Sequence, residues 1–348
     1  MPPPDDPTLF MIFLLAPVVL STGIYLFFFK RKLHKKATWA LLLQGNLLIL
    51  LALFSIVLLV GEVYYRFAYA ETDSFALTNS TNRWILRYYK YNRSNYRDNV
   101  EYAQNTPPGK TRISFIGDSF TAGHGVRDVD KRFANLLRNQ KKEYDVQVLA
   151  NNGWDTGHQL EMLESLQETE LEYVVLGYCL NDLSDIVPEY RAILDRIYER
   201  QPGYLVYNSY FLNTLYYRWI GLSDPDIKNF YNFTLAAYAN QTWTEQQARL
   251  TAMRDLLAKR NAKLMVVTFP FIHALGKNYA YAQVHQQLDA HWKRLNVPHL
   301  DLYDIYQGHS PEQMRVNQYD AHPNEQAHAM AASAIGDFLE SQITQAAP

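Results

Sequence analysis

Residues 111–123 read TRISFIGDSFTAG, and this stretch decides the fold that we predict. The run TRISFIG has the length and the β-branched and aromatic content of a buried strand. Small residues follow it, and a helical pattern comes next. Ser119 would then lie just past the strand, where a tight turn presents its hydroxyl and aims backbone N–H groups at whatever the hydroxyl attacks. Gly-Asp-Ser alone is also explained by an ordinary turn with a capping serine.

The same alternation of predicted strand and predicted helix continues to the end of the chain. Further short apolar runs predict strands, and helical patterns lie between them. The predicted strands are 111–117, 144–150, 171–178, 263–271 and 298–306, and the predicted helices lie near 131–140, 159–168, 244–261, 281–295 and 325–342. Strands without polar alternation, separated by helices, are typical of a parallel sheet covered on both faces. Reactive groups in such α/β folds collect at the carboxyl ends of the strands.

A base for Ser119 is predicted near the end of the chain, in the sequence Tyr319-Asp320-Ala321-His322-Pro323. We expect His322 in a loop ahead of the last helix, at the same end of the sheet as Ser119. Asp320, two residues earlier, would fix the tautomer of the imidazole and stabilise its protonated form. Serine, histidine and aspartate in these positions indicate nucleophilic catalysis.

Four short blocks in this order resemble the SGNH (GDSL-type) hydrolases. They are Gly117-Asp118-Ser119-Phe120, Asn152-Gly153-Trp154-Asp155-Thr156, Asn181-Asp182 and the Asp320/His322 pair. The resemblance covers residues 111 to about 345 and implies the SGNH fold, a flavodoxin-like parallel sheet. It also implies Ser119 as nucleophile, His322 as base and Asp320 as its orienting acid. The oxyanion hole would consist of the Ser119 and Gly153 backbone N–H groups and the Asn181 side chain.

Two positions depart from the family pattern. Cys179 stands where the family usually has a glycine, two residues before the asparagine, and we expect it to be a small buried residue. The family's carboxylate usually precedes the histidine by three residues, where this chain has Tyr319, whereas Asp320 precedes it by two.

Two long apolar runs, residues 8–29 and 37–61, contain no charged side chain. Each is long enough to span a bilayer as a helix, and neither has the polar face of a soluble helix. Buried core helices are the alternative, and a cleaved signal peptide is a second alternative for the first run. Signal peptides begin with basic residues, whereas this chain begins MPPPDDPT, so we expect the run to be retained.

The connector at residues 30–36 (KRKLHKK) predicts the orientation, because short loops rich in Lys and Arg stay cytoplasmic. The N-terminus and everything after Gly61 would face the other side, which places a two-pass protein in a bacterial inner membrane with a periplasmic catalytic domain. We predict three regions: a membrane hairpin at 1–61, a stalk or linker at 62–110 with one or two short strands, and the catalytic domain at 111–348. An aromatic insertion at about 185–240 would pack as core, or form a wall over the active site.

Composition excludes several other classes of protein. The 348 residues have a net charge of −2, which argues against a general nucleic-acid binder. The single cysteine excludes an intramolecular disulfide and a Cys-based zinc site. Acidic and histidine residues near the strand ends, Asp182, Asp185, His124 and His158 among them, show no metal-ligand spacing. We expect neither metal nor cofactor.

The leading hypothesis is a membrane-anchored serine esterase that removes acyl groups from a lipid or a cell-surface glycan through an acyl-enzyme. The same residues would serve an O-acyltransferase that modifies an envelope polysaccharide, with a membrane acyltransferase as partner. A polysaccharide-assembly or binding component without catalysis is a third hypothesis. Acylation of an added sugar acceptor would distinguish transferase from esterase.

Overall fold

The TRISFIG stretch forms an interior strand of a parallel sheet in the computed structural model, which describes residues 6–30, 38–199 and 202–346. The five strands lie in the order β2-β1-β3-β4-β5 and all pair in parallel. Their bounds are β1 Thr111–Gly117, β2 Tyr144–Ala150, β3 Tyr173–Cys179, β4 Lys263–Phe269 and β5 His299–Asp301. All seven residues of β3 are buried, because helices cover both faces of a sheet of this kind. The predicted α/β class and flavodoxin-like strand order are confirmed.

The strands and helices assemble into two compact units. The sheet lies in the larger unit, which consists of Thr72–Phe75, Ile85–Ile197 and Pro225–Pro348. Its helices include α4 Ser119–Ala122, α5 Phe133–Gln140, α6 Thr156–Ser165, α10 Pro225–Ala237, α11 Gln241–Lys259, α12 Ala282–Arg294, α13 Leu302–Tyr306, α14 Pro311–Met314 and α15 Glu325–Ala346. Helix α7 (Pro188–Glu199) belongs to this unit up to Ile197. Within it, α5 packs on α15 and β2, and α6 packs on α11.

The smaller unit holds the two apolar runs as helices α1 (Thr8–Lys30) and α2 (Trp39–Val63). They pack on each other, and their mean hydropathies reach 2.3 and 2.6. Only 11% and 17% of their apolar windows are buried, so they lack the burial of core helices in a soluble protein. Both are therefore candidate membrane spans. The predicted basic connector begins at Lys30, the last residue of α1, and its remainder lies outside the described residues.

The rest of the smaller unit comes from two distant parts of the chain. A π-helical turn (Tyr64–Ala68) extends α2, and α3 (Asn79–Tyr88) begins in this unit and ends in the larger one. Helices α8 (Tyr204–Asn208) and α9 (Tyr210–Ser223) come from the aromatic insertion. The segments expected as one stalk and one insertion are thus each divided between the two units.

Several local predictions need correction. The stalk contains helix α3 instead of regular strands, with only an isolated bridge between Tyr91 and Arg97. The helix expected near 159–168 begins at Thr156, because the Asp155 side chain accepts the His158 N–H at 3.1 Å and caps it. The strand expected at 298–306 ends at Asp301, which caps α13 by accepting the Tyr303 N–H at 2.9 Å. His322 lies in a short strand, not a loop: β7 (Asp320–Pro323) pairs antiparallel with β6 (Arg315–Asn317).

Candidate active site

Ser119 begins α4 at the carboxyl end of β1, as the sequence predicts. Asp118 caps this short helix by accepting the Phe120 N–H at 2.9 Å. The turn is tight, since a Cβ added at Gly117 would lie 2.7 Å from the Gly177 carbonyl oxygen of the neighbouring strand. Strands β1 and β3 meet where the chain order of the sheet reverses, and ligands of open α/β sheets bind at this point.

His322 and Asp320 lie within hydrogen-bond distance of each other and of Ser119. His322 Nε2 is 2.8 Å from Ser119 Oγ, and His322 Nδ1 is 2.6 Å from Asp320 Oδ1. Asp320 also accepts the His322 backbone N–H at 3.1 Å, which fixes the carboxylate relative to the ring. A proton on Nδ1, donated to Asp320, leaves the Nε2 lone pair directed at the serine hydroxyl.

The Asp320 carboxylate is fully buried, and its surroundings favour the ionised form. Burial alone would raise its pKa, but the nearby His322 and His124 and hydrogen bonds from His322 and Thr72 outweigh burial and hold the pKa below its usual range. The Thr72 hydroxyl donates to Oδ2, the oxygen that His322 does not use. His124 Nε2 lies 3.5 Å from the same oxygen. Asp320 is therefore held as an anion from both sides.

A short segment far upstream, Thr72–Phe75, fixes the strand that carries His322. The Ser74 N–H donates to the Tyr319 carbonyl at 3.0 Å, and Ser74 Oγ accepts the Ala321 N–H at 2.8 Å. The Asn317 amide donates to the Thr72 carbonyl at 3.0 Å. Because strands β6 and β7 are only three and four residues long, these bonds supply support that so short a hairpin lacks.

His124 completes a polar chain behind the carboxylate. Its Nδ1 is 3.1 Å from the Asn152 amide nitrogen, and the Tyr89 hydroxyl donates to Asn152 Oδ1, also at 3.1 Å. Burial lowers the pKa of His124 to about 4, although Asp320 opposes the shift. His124 is therefore neutral at neutral pH, accepting on Nδ1 and donating from Nε2 toward Asp320 or the Asp73 carbonyl.

Thr72→Val is expected to lower kcat of ester hydrolysis about tenfold, because a hydrogen bond to a charged group contributes about 1.5–3 kcal/mol and part of it orients Asp320. Valine keeps the shape of threonine and removes only the donor to Oδ2. Steady-state kinetics of the full chain in detergent would measure the loss. Thr72→Ser, which retains the hydroxyl, should recover most of the rate, and equal losses in both variants would contradict this role.

Asn181 and Gly153, the predicted oxyanion donors, lie after β3 and β2. The Asn181 side chain lines the same pocket as Ser119 and His322. Gly153 lies in the exposed loop before α6 with φ +76°, a left-handed conformation that favours glycine. The Thr156 N–H donates to the Asp182 carbonyl at 2.8 Å and ties this loop to the one that follows β3. Gly153 is not among the described residues that line the pocket.

The pocket beside Ser119 has an aromatic wall. Its lining residues are Ser74, Ser119, Phe120, Asn181, Phe230, Tyr231, Phe271, His273, Ala321 and His322. Phe230 and Tyr231 belong to α10, within the aromatic insertion, so part of the insertion does form a wall of this site. The His273 ring packs on Tyr231 at a centroid distance of 3.7 Å, and burial lowers the His273 pKa to about 4. His273 is therefore uncharged at neutral pH, and it lies beside aromatic rings.

Two buried carboxyl groups lie behind the serine turn. Asp118 Oδ2 and Asp182 Oδ1 have no hydrogen-bond partner among the described residues. Burial raises the pKa of Asp118 to about 6, and burial together with Asp118 raises the pKa of Asp182 well above its ordinary value. Cys179, as predicted, is a buried free thiol, and burial raises its pKa as well. The thiol is therefore not poised as a second nucleophile.

Asp118→Asn is expected to change how stability depends on pH. The folded carboxyl, with a pKa of about 6 against an ordinary 3.8, keeps a proton that the unfolded chain has lost between these values. Raising the pH through this window therefore lowers the free energy of unfolding of the wild type. Asparagine does not titrate and still caps the Phe120 N–H, so the variant lacks this loss. The melting temperature of the wild type relative to the variant should fall from pH 4 to pH 6.5. Asp128→Asn, which replaces an exposed capping aspartate, is the control. If the difference in melting temperature between the wild type and Asp118→Asn were the same at pH 4 and pH 6.5, the raised pKa of Asp118 would be contradicted.

Among the described residues, His124, Asp320 and His322 offer ligand atoms within 4.8 Å of one another, the spacing of a metal site. The hydrogen bonds given above already occupy these atoms: His322 between Ser119 and Asp320, and Asp320 between His322 and Thr72. A metal ion would have to displace the Ser119 contact or the Asp320 contact of His322. The donor set therefore fits a hydrogen-bonded relay better than a metal centre.

The sequence reasoning missed the residues that support Asp320. Thr72 and Ser74 lie more than 240 positions before their partners, and the separation of Thr72 and Asp320 is 248 residues. His124 was considered only as a weak metal ligand, although its position one turn after Ser119 was a usable signal. Phe271 and His273 lie in the segment just after β4, which ends at Phe269, so the rule that strand ends carry the site would have pointed to them.

The sequence of residues 115–330 matches the model of the GDSL-like lipase/acylhydrolase family. The chain belongs to this family. It is an SGNH-type hydrolase that acts on ester bonds. No curated protein is a significant sequence match to it.

Solved structures of several family members are similar to this SGNH hydrolase. An extracellular lipase from Streptomyces rimosus is 15% identical, with a TM-score of 0.42, covering 66% of this chain and 99% of its own. A G-D-S-L lipolytic protein from Veillonella parvula is 13% identical, with a TM-score of 0.40, covering 64% and 94%. The acetyl xylan esterase AlAXEase is 14% identical, with a TM-score of 0.40, covering 65% and 98%. The family assignment rests on the sequence match over residues 115–330.

Proposed function

We propose that this SGNH hydrolase is a membrane-anchored serine esterase in which Ser119 is the nucleophile, His322 the general base and Asp320 its orienting acid. The observation that carries the proposal is the continuous line of hydrogen bonds from Asp320 through both nitrogens of His322 to the Ser119 hydroxyl, at 2.6 and 2.8 Å. The ionised Asp320 favours the tautomer in which Nε2 accepts the serine proton. This orientation of the ring supports the role of His322 as the base.

The reaction proceeds in two halves. Ser119 Oγ attacks the ester carbonyl carbon as His322 Nε2 takes its proton, and the resulting imidazolium is stabilised by Asp320. When the tetrahedral intermediate collapses, His322 gives that proton to the leaving alcohol oxygen, and an acyl-enzyme on Ser119 remains. Water, deprotonated by the same His322 nitrogen, then attacks the acyl carbon, and Ser119 regains the proton as the acid leaves.

The oxyanion of both intermediates would be bound by the backbone N–H groups of Ser119 and Gly153 and by the Asn181 side chain. Ser119 is the first residue of α4, and N–H groups in the first turn of a helix have no partner within the helix. Asn181 shares the pocket with Ser119, which supports its role most directly.

Asn181→Ala is expected to lower kcat about 100- to 1,000-fold, because one oxyanion donor is lost and little ground-state binding goes with it. KM should change much less than kcat. Asn229→Ala, at an exposed position of α10, is a matched control that should keep the full rate. If KM rises while kcat stays unchanged, Asn181 binds the substrate and does not stabilise the oxyanion.

The substrate that we propose is an acyl ester of a lipid or a cell-surface glycan. Uncharged aromatic walls formed by Phe230, Tyr231 and Phe271 suit an apolar acyl group or the face of a sugar ring. Full-length protein in detergent should release p-nitrophenol from a short-chain ester. Absence of turnover with every ester by a folded sample would contradict the esterase proposal, whereas acylation of an added sugar in place of hydrolysis would favour the O-acyltransferase and its expected membrane acyltransferase partner.

We propose further that α1 and α2 cross the bacterial inner membrane, with the basic connector at 30–36 in the cytoplasm and the catalytic domain in the periplasm. The apolar length of both helices and the charge of the connector support this topology. Alkaline phosphatase, which is active only after export, should be active when fused to the C-terminus. If a reporter that is active only in the cytoplasm is active at this position and alkaline phosphatase is not, the proposed orientation is wrong.

A further inference from the structure

Helix α9 carries an exposed apolar face in the smaller unit. Leu215, Trp219 and Leu222 are 44%, 62% and 71% exposed. Their spacing of four and three residues places them on one side of the helix. The adjoining α8 adds Tyr204 and Leu205, which are 54% and 56% exposed. Several large apolar side chains exposed on one short segment indicate an interaction site.

Charge is almost absent from this segment. Residues 204–223 read YLVYNSYFLNTLYYRWIGLS, in which Arg218 is the only charged side chain. Arg218 points away from the exposed face: its guanidinium donates to the Tyr65 hydroxyl at 3.1 Å and lies over the Tyr69 ring. A helix facing water carries charged residues on its outer side, whereas the outer side of α9 is apolar.

The start of α9 is fixed to the end of the second apolar helix. The buried Glu62 carboxylate accepts the Ser209 hydroxyl at 2.7 Å and the Tyr210 and Phe211 N–H groups at 3.1 Å each. Glu62 therefore satisfies donors at the N-terminus of α9, where a negative charge is also favoured by the helix dipole. Arg66, one turn later, pairs with Glu62 at 2.8 Å and donates to the Asn208 carbonyl at 3.0 Å.

Close packing reinforces this attachment. A Cβ added at Gly61 would lie 2.7 Å from the Phe211 ring, so glycine is what lets α9 approach α2. Tyr65 stacks on the same ring at a centroid distance of 5.7 Å. Because Gly61 and Glu62 directly follow the uncharged run 37–61, α9 begins at the level where the apolar surface of α2 ends.

We propose that α8 and α9 lie in the interface of the membrane that α1 and α2 span, with Leu215, Trp219 and Leu222 inserted at the boundary between headgroups and acyl chains. The two spans also expose large apolar side chains, and so does the π-helical turn that directly follows α2, at Tyr64 and Phe67. Tryptophan and tyrosine are enriched at this depth of a bilayer, and interfacial helices bury one apolar face about 5–10 Å into it. The inference rests on the proposed membrane anchoring.

Fluorescence quenching by lipid tests the proposal in the full chain. One added cysteine, at Leu222, Leu50 or Ala248, would carry an environment-sensitive NBD label in each variant, with Cys179→Ala as the background because the native thiol is free although buried. Leu50 is exposed near the middle of α2, and Ala248 is exposed on α11 of the larger unit. Each protein is placed in nanodiscs of phosphatidylethanolamine and phosphatidylglycerol that contain lipids spin-labelled near the headgroup or deep in the chain. Leu215→Cys serves as a second site if Leu222→Cys does not fold.

We expect the label at position 222 to be quenched most strongly by the lipid that is spin-labelled near the headgroup. The label at position 50 should be quenched most strongly by the lipid that is spin-labelled deep in the chain. The label at position 248 should be quenched only by iodide in the aqueous phase. If the label at position 50 is quenched by lipid but the label at position 222 is quenched by iodide, α9 does not lie in the interface and the proposal is overturned, whereas the membrane anchoring is supported. If 222 is shielded from both lipid and iodide, protein covers the face, as in a dimer, and the proposal is overturned as well. If 50 is not quenched by lipid, the anchoring fails and the inference with it.

Discussion

Ser119→Ala is expected to lower kcat of ester hydrolysis about 10⁶-fold, the loss seen when the nucleophile of a serine hydrolase is removed. The thiol of Cys179, the only cysteine, is buried with a raised pKa and is not poised to replace the serine. Residual catalysis should remain above the uncatalysed rate, because the oxyanion donors and the aromatic pocket are intact. Burst and steady-state kinetics with p-nitrophenyl esters would measure both quantities.

Ser165→Ala is the matched control for the nucleophile. Ser165 ends α6, its hydroxyl donates to the Met162 carbonyl at 2.7 Å, and it does not line the pocket of Ser119. The control should hydrolyse ester at the wild-type rate. Wild-type activity in a Ser119→Ala preparation free of contaminating esterase would refute the assignment of the nucleophile.

Asp320→Asn is expected to lower kcat on the order of 10⁴-fold while the fold is retained, as the same change does in the Ser-His-Asp proteases. An asparagine amide can donate to His322 Nδ1, which would leave the proton on Nε2, the nitrogen that must accept from Ser119. The Thr72 hydroxyl and His124, which now hold Asp320 as an anion, would face a neutral side chain. Single-turnover acylation rates would isolate this step from product release.

A second histidine–aspartate pair elsewhere in the same unit supplies the control. His285 Nδ1 lies 2.8 Å from Asp301 Oδ2, and Asp301 also caps α13. Asp301→Asn should lower the melting temperature but change kcat by only a few-fold. If Asp301→Asn and Asp320→Asn lower kcat by similar factors, both substitutions act by destabilising the fold. Asp320 would then have no specific role in orienting the His322 ring.

The sheet and the approximate location of the site could be predicted from the sequence because they depend on local patterns. The runs 111–117 and 144–150 are rich in β-branched, aromatic and other apolar residues and are bounded by polar ones, and β1 and β2 have these bounds. Since parallel strands bring their carboxyl ends to one edge, the sequence alone is enough to predict that Ser119 and Asn181 lie close together. They line one pocket.

The support of Asp320 could not be predicted, because it depends on tertiary contacts between distant residues. Thr72 and Ser74 lie in a segment without periodicity, and a threonine in such a segment resembles any loop threonine. Strands β6 and β7 are too short to produce an alternating pattern, which is why His322 was expected in a loop. Helix α3 escaped detection because polar residues, Asn79 to Asn82, form its buried side.

The aromatic insertion shows a third limit of sequence reasoning. Its composition indicates burial but does not say against what. Phe230 and Tyr231 line the pocket beside Ser119, whereas Trp219 and Leu222 are exposed in the smaller unit. A single aromatic-rich stretch thus serves two environments, and only the tertiary structure separates them.

Covalent labelling by a fluorophosphonate tests the central claim most directly, since this reagent reacts with a serine that is activated by a neighbouring base. The full-length protein is treated in detergent, digested and mapped by mass spectrometry. We expect one adduct, on the peptide that contains Ser119, absent from Ser119→Ala and formed far more slowly in His322→Ala. An adduct on another residue, or no adduct on a folded sample that hydrolyses esters, would contradict the assignment of Ser119 and His322 as nucleophile and base.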